Sequence, residues 1–153
     1  MVKNDPVLRF EHAHGRLNEL AVEMTQSLRP MTGRSSTDEW QALITRLGAL
    51  RDELIHHFAN EEEALFPFLR ANLPAKAEVV DRLEAVHDTI CGAVVRAHAA
   101  AVERHLPWLL TLHERFQSAY AGHAGEEAEL IGGLGASLDE RQRAELAELL
   151  RGL

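Results

Sequence analysis

The 153-residue sequence has few of the residues that build disulfide scaffolds, β-sheets or nucleic-acid interfaces. Its single cysteine, Cys91, excludes an internal disulfide and favours a reducing, cytoplasmic location. Aromatic residues make up only 5% of the chain and no alternating β-branched run is present, so strands are not expected. The formal net charge is −8 without a lysine or arginine block, which argues against a nucleic-acid partner. No apolar run approaches membrane-spanning length, so no membrane association is expected.

The residues that are abundant favour helices. Hydrophobic residues supply 46% of the chain, and Leu, Ala, Glu and Arg dominate it. The predicted helices span about residues 5–29, 36–71, 74–104, 107–131 and 137–151, and Pro67 should bend the second. Short loops between four long helices predict an all-α, up-down-up-down four-helix bundle over about residues 5–131, with a short C-terminal extra helix. We expect residues 1–153 to form one domain.

Local signals mark several helix ends. Ser36 and Glu39 form a capping box that opens the second helix. Gly132 and Gly133 are predicted to end the fourth helix, and a second capping box begins at Ser137. The leucines of the last helix either cap the bundle or form a surface for a homodimer or a signalling partner. We favour the capping interpretation.

Six polar side chains interrupt the apolar stripes of the predicted helices. The stripes follow spacings of three and four residues, which place side chains on one helix face. At ~1.5 Å rise per residue, the six groups lie at one level of the bundle, within about one helical turn. Because buried polar groups without partners cost several kcal/mol, a bound metal pair is their simplest explanation. The predicted ligands are His14, His57, Glu61, His87, His123 and Glu127.

Two of the predicted helices carry the pattern His-x-x-x-Glu, as His57 with Glu61 and His123 with Glu127. Four residues advance a helix by about 400°, so both side chains leave the same face about one turn apart. Such a pair can share a metal centre. The pattern alone is common, but both pairs lie in the inward stripe, and each has a lone histidine on a neighbouring helix.

The order of a lone histidine, His-x-x-x-Glu, a second lone histidine and a second His-x-x-x-Glu resembles the hemerythrin-like (HHE cation-binding) family. The local sequence HFANEEEALFP at residues 57–67 resembles it too, and the likeness spans about residues 8–131. The resemblance implies two non-haem iron ions, oxo- or hydroxo-bridged, that bind or react with O2, NO or peroxide. It also implies an assignment of ligands: His14 and His57 on one iron, His87 and His123 on the other, and Glu61 and Glu127 bridging both.

The chain departs from oxygen-carrying hemerythrins at two positions. Cys91 stands where those proteins have a second histidine, and Glu127 comes one position before their aspartate, whose place Ala128 takes. The resemblance then implies a more open site, suited to sensing, redox turnover or peroxide chemistry, in a binding protein rather than a dedicated enzyme. Glu84, Cys91 and Tyr120 are further candidates, as extra ligands or as groups that support the ligands.

Two other functions remain open from the sequence. A ferritin-like di-iron oxidase would use Glu-x-x-His motifs, and Glu53 with His56 and Glu84 with His87 match that spacing. However, Glu53 and His56 point away from the predicted stripe. A metal-free or zinc-holding helical interaction module is the other alternative. Metal identity separates the interaction module from the two iron proteins, and the balance of histidine and carboxylate ligands separates those two.

Other ionisable residues near the stripes have structural interpretations. His113 lies in the stripe but roughly 15 Å from His123 along the helix, so we interpret it as a hydrogen-bonded core residue. Glu62 and Glu63 are expected to form a solvated acidic face, and His12 to lie in solvent.

Overall fold

A computed structural model describes residues 5–153, and over that range it contains helices and no strand. The α-helices are α1 Pro6–Leu28, α2 Thr37–Asn60, α3 Phe66–Asn72, α4 Ala77–Ala85, α5 His87–Val102, α6 Leu106–Ser137 and α7 Glu140–Arg151. A π-helical segment, Glu61–Leu65, joins α2 to α3, and a 3-10 turn, Pro74–Lys76, precedes α4. Residues 1–4, which we assigned to the same domain, lie outside the described range. None of the helices in residues 5–153 has the length and apolarity that crossing a membrane requires.

The long helices contact one another in a closed ring. Helix α1 packs against α2 and α6, and α5 packs against the same two helices from the other side of the ring. Inward residues three and four positions apart are buried on each of them, as the stripes predicted. The prediction of an all-helical bundle is therefore confirmed. The alternating direction of the four helices stays a prediction.

The interior contains two separate apolar clusters. The first core includes Leu47 and Leu54, and the second core includes Phe66 and Leu134. Along each of the four ring elements, the polar stripe residues fall between members of these two clusters. On α1, for example, second-core residues precede His14 and first-core residues follow it. A polar layer therefore crosses the bundle between two hydrophobic regions.

Helix α6 runs past its predicted end. Gly132 and Gly133 lie within α6, which continues to Ser137, so the prediction that the glycines end the helix is wrong. The physical reason is burial, because Leu134 and Leu138 continue the inward stripe into the second core. Burying two leucines outweighs the helix cost of about 1 kcal/mol for each glycine.

The start of α7 also differs from the prediction. Asp139 is the N-cap and Gln142 completes the capping box, so the predicted box from Ser137 to Glu140 is wrong. Since α6 extends to Ser137, that hydroxyl donates instead to the carbonyl of Gly133, within the same helix. The predicted capping box of α2 is confirmed.

The predicted second and third helices are each interrupted near the polar layer. The π-helical segment begins at Glu61, and a turn at Val86 separates α4 from α5, so neither helix is continuous as predicted. Val86 has φ −100° and ψ −6°, outside regular helical values. Pro67 lies in the first turn of α3, directly after the π-helical segment.

Helix α7 covers one end of the bundle. It contacts α1 and the π-helical segment, and its Leu146 and Leu150 are buried in the second core. Arg143 donates a hydrogen bond of 2.8 Å to the Asp5 carboxylate, next to the start of α1. Leu149, on another face of α7, is exposed. The structure thus places α7 as a cap, the role we favoured from the sequence.

Candidate metal centre

Six polar side chains from four parts of the chain meet in the layer between the two cores. Helices α1 and α5 supply one histidine each, α2 with the π-helical segment supplies a histidine and a glutamate, and α6 supplies the same pair. Each residue is at most 9% exposed. We call this group the polar cluster: His14, His57, Glu61, His87, His123 and Glu127. The structure therefore brings all six predicted ligands together.

Glu127 contacts histidines from three helices. Its Oε1 accepts a hydrogen bond of 2.7 Å from Nε2 of His57. Its Oε2 lies 3.4 Å from Nδ1 of His123 and 3.8 Å from Nε2 of His14. One carboxylate on α6 thereby faces α1, α2 and its own helix.

Glu61 lies between His57 and His87. Its Oε1 is 3.2 Å from Nε2 of His57, and its Oε2 is 3.2 Å from Nε2 of His87. Nε2 of His87 is also 2.9 Å from Nε2 of His123. Two groups of potential ligands result, each with atoms within 4.8 Å of one another: His57 with Glu61 and Glu127, and Glu61 with His87 and His123. Glu61 belongs to both groups.

Several buried atoms of the polar cluster have no hydrogen-bond partner. Leaving such atoms unpaired inside a protein is costly, and most native buried polar atoms are paired. Imidazole nitrogens and carboxylate oxygens are also the atoms that bind iron and similar cations. The cluster therefore fits a bound metal better than it fits a hydrogen-bonded polar core. The unpaired atoms are Nε2 of His14, Nδ1 of His57 and His123, and both Oε atoms of Glu61.

Burial and neighbouring charges shift the pKa values of the polar cluster in opposite directions. Burial lowers the pKa of His57, but its hydrogen bond to Glu127 and the nearby charge of Glu61 outweigh burial and raise that pKa to about 10. Burial and the charge of Glu127 raise the pKa of Glu61 to about 7. Burial also lowers the pKa of His123 to about 4. Protons thus occupy part of the cluster at neutral pH, where cations would compete with them.

The three further candidates lie outside both groups of potential ligands. Glu84 forms an ion pair with Arg70 at the surface. The Tyr120 hydroxyl donates a hydrogen bond of 2.6 Å to Oδ1 of Asn18. Cys91 is half-buried against the first core, and burial raises the pKa of its thiol to about 11. The structure offers these residues partners other than a metal.

The residues of the ferritin-like alternative do not assemble. His56 is exposed, and its Nε2 lies 3.3 Å from the side-chain amide of Asn60. Glu84 is occupied by the ion pair described above. His113, in contrast, follows the interpretation from the sequence, because its Nε2 shares a hydrogen bond of 3.0 Å with the hydroxyl of Thr25. A histidine-rich ligand set remains.

Glu62 is the residue that sequence reasoning missed. Its Oε1 accepts a hydrogen bond of 2.7 Å from Nδ1 of His87, although its side chain is 43% exposed. Regular helical spacing placed Glu62 with Glu63 on a solvated face. The π-helical segment changes that spacing, and no residue type in it signals a π-helix. Only the stretch of three glutamates marked a carboxylate close to the site.

The comparison with known families agrees with this geometry. The sequence profile of the hemerythrin HHE cation-binding domain matches residues 5–134, a range that includes every residue of the polar cluster and ends before α7. Searches of curated proteins and of solved structures found no match. Because the profile covers most of the chain, the protein belongs to the hemerythrin HHE cation-binding family.

Proposed function

We propose that the protein holds two non-haem iron ions in the polar cluster and that the pair binds or reacts with O2, NO or peroxide. The observation that carries the proposal is the position of Glu61. Both of its carboxylate oxygens are buried without a hydrogen bond, and they face His57 on one side and His87 on the other. A carboxylate between two ligand groups can bridge two cations. The mixture of imidazole and carboxylate suits iron.

Each proposed position has its own ligands. His14 and His57 would hold one ion, and His87 and His123 the other. Glu127 supports a second bridge, because its Oε1 contacts His57 while its Oε2 faces His123. When bound, the ions would supply redox chemistry and positions for a small ligand. The chain itself orients the imidazoles and excludes water, since the whole cluster is buried between two apolar regions.

We also propose that the four helices of the ring alternate in direction. The order of the two cores along the chain supports this. On α1 and along α4–α5, second-core residues come before the polar cluster and first-core residues after it. From α2 into the π-helical segment, and on α6, the order is reversed. Alternation is the topology that short loops between neighbouring helices of a bundle produce.

Metal analysis and near-UV spectroscopy of the purified protein test the proposal. We expect about two iron ions per chain and near-UV absorption bands that change when azide is added. Azide probes the expected opening for a small anionic ligand. Zinc in place of iron, or a protein that binds no iron under reducing conditions, would contradict the proposal and favour the interaction module.

A matched pair of histidine variants locates the ions. His123→Asn should lower the iron content, because it removes a ligand from the polar cluster. His113→Asn is the control, since His113 is also buried on α6 but bonds Thr25 outside the cluster. Equal iron contents in the two variants would contradict the proposed position of the ions.

A further inference from the structure

We propose that Glu62 is a positioning residue for the metal centre: its carboxylate holds Nδ1 of His87 and so directs Nε2 of that ring into the polar cluster. The inference rests on the proposed function and adds a residue outside the predicted ligand set. Glu62 and Glu61 are consecutive in the π-helical segment, and both of them contact His87. Glu61 faces Nε2 of the ring, and Glu62 faces Nδ1.

The orientation of the His87 ring is fixed by its neighbours. Phe58 stacks on it with 3.7 Å between ring centroids and 7° between ring planes, and Phe66 stacks at 5.7 Å and 25°. These contacts define the plane of the imidazole but allow a ~180° rotation about the Cβ–Cγ bond, which keeps that plane and exchanges the ring nitrogens with ring carbons. Glu62 removes this freedom, because its Oε1 lies 2.7 Å from Nδ1 while Nε2 lies 3.2 Å from Oε2 of Glu61.

The chemistry of the contact follows from the acceptor. An ionised carboxylate only accepts hydrogen bonds, so Nδ1 of His87 carries the hydrogen and Nε2 is the nitrogen that can bind a cation. A carboxylate on the outer nitrogen also makes the imidazole a stronger ligand. His57 and His123 lack this support, since their Nδ1 atoms are buried without a hydrogen bond. Glu62 therefore makes the two proposed ion positions unequal.

Glu62 can be changed without disturbing the cores, because its side chain is 43% exposed. Three variants isolate its role. Glu62→Ala removes the acceptor, and Glu62→Gln keeps an acceptor oxygen without the charge. Glu63→Ala is the matched control, because it removes the same charge from the next residue, which is exposed.

The first measurement is the affinity for iron(II) under anaerobic conditions. We expect Glu62→Ala to weaken binding at one of the two positions by about 10- to 100-fold. Glu62→Gln should recover part of that loss, and Glu63→Ala should bind as the wild type does. Affinity in Glu62→Ala equal to that in Glu63→Ala would overturn the inference.

The second measurement uses the metal-free protein. The Nδ1–H proton of His87 should give a slowly exchanging NMR signal in the wild type, in Glu62→Gln and in Glu63→Ala. This signal should be absent in Glu62→Ala. A signal that persists in Glu62→Ala overturns the contact itself. A wild type that binds no iron while showing the expected NMR pattern overturns the proposed function, and with it the role of Glu62 at a metal, but leaves the contact intact.

Discussion

At the scale of single residues, Glu61 has unfavourable surroundings for an ionised carboxylate if no cation is present. It is fully buried, makes no hydrogen bond through either oxygen and lies close to a second buried carboxylate, Glu127. Burial and a neighbouring carboxylate both disfavour the ionised form of such a residue. The residue therefore makes sense as a ligand and not as part of a hydrophobic interior.

Glu61→Gln tests whether the carboxylate of Glu61 lowers the stability of the fold while serving as a metal ligand. The pKa of Glu61 is raised from 4.5 to about 7 in the folded chain. Ionisation is thus harder in the folded state, so the penalty is absent below pH 4.5, grows as pH rises and is complete above pH 7. At pH 8 we expect Glu61→Gln to raise the unfolding free energy of the metal-free protein by roughly 1–3 kcal/mol. Urea denaturation in the presence of a chelator measures it.

The same variant should lose both iron ions together, since Glu61 belongs to both ligand groups. Glu63→Gln is the control, because it changes an exposed carboxylate and should leave metal content and stability near wild type. If metal-free Glu61→Gln is less stable than the metal-free wild type, the buried Glu61 carboxylate does not destabilise the fold. Loss of one ion alone would refute the bridging role.

The residues of the polar cluster could be predicted because spacing along a helix determines which side chains share a face. Their contacts could not. Whether Glu127 meets His57 or His14 depends on rotamers and on how α6 lies against α1 and α2, which spacing does not record. Tyr120 shows the same limit: it lies in the predicted stripe, but its hydroxyl reaches Asn18 on the neighbouring helix.

At the scale of helices, the sequence signals for where an element begins or ends were right at some helices and wrong at others. The capping box of α2 marked a real helix start, whereas the box predicted at Ser137 did not. Glycine was misleading in α6, because tertiary burial beyond Gly133 kept the helix intact. The π-helical segment had no signal, because no residue type in it marks a π-helix.

Alanine at Gly132 and Gly133 tests the continuity of α6. Neither glycine has a positive φ, and a methyl group at either would meet no atom within 4 Å. The double variant should therefore raise the unfolding free energy by about 1–2 kcal/mol, through helix propensity alone. Gly33→Ala, in the loop between α1 and α2, is equally unhindered and should have a smaller effect. Destabilisation by the double variant would instead support a helix end at these residues.

At the scale of the whole molecule, α7 completes the second core beyond the matched family domain. Leu146 is fully buried in that core, while Leu149 is 45% exposed. The helix therefore contributes to the fold itself. Sequence periodicity showed an amphipathic tail but could not decide whether the apolar face met this chain or another.

Two leucine variants distinguish these roles. Leu146→Ala should lower the unfolding free energy by about 2–4 kcal/mol, because it leaves a cavity in the second core. Leu149→Ala should change it by less than about 1 kcal/mol. Differential scanning calorimetry of both proteins measures the contrast. Similar melting temperatures for the two variants would show that α7 does not pack as described.

The polar layer between the two cores has a consequence for how the chain folds. In the absence of cations, the two apolar regions are separated by a layer of buried polar side chains with several unpaired atoms, which weakens the packing between them. When the residues of the polar cluster bind the same ions, the first and second cores would be linked into a single cooperative unit. Bound iron would then determine whether thermal unfolding occurs in one cooperative transition or in two.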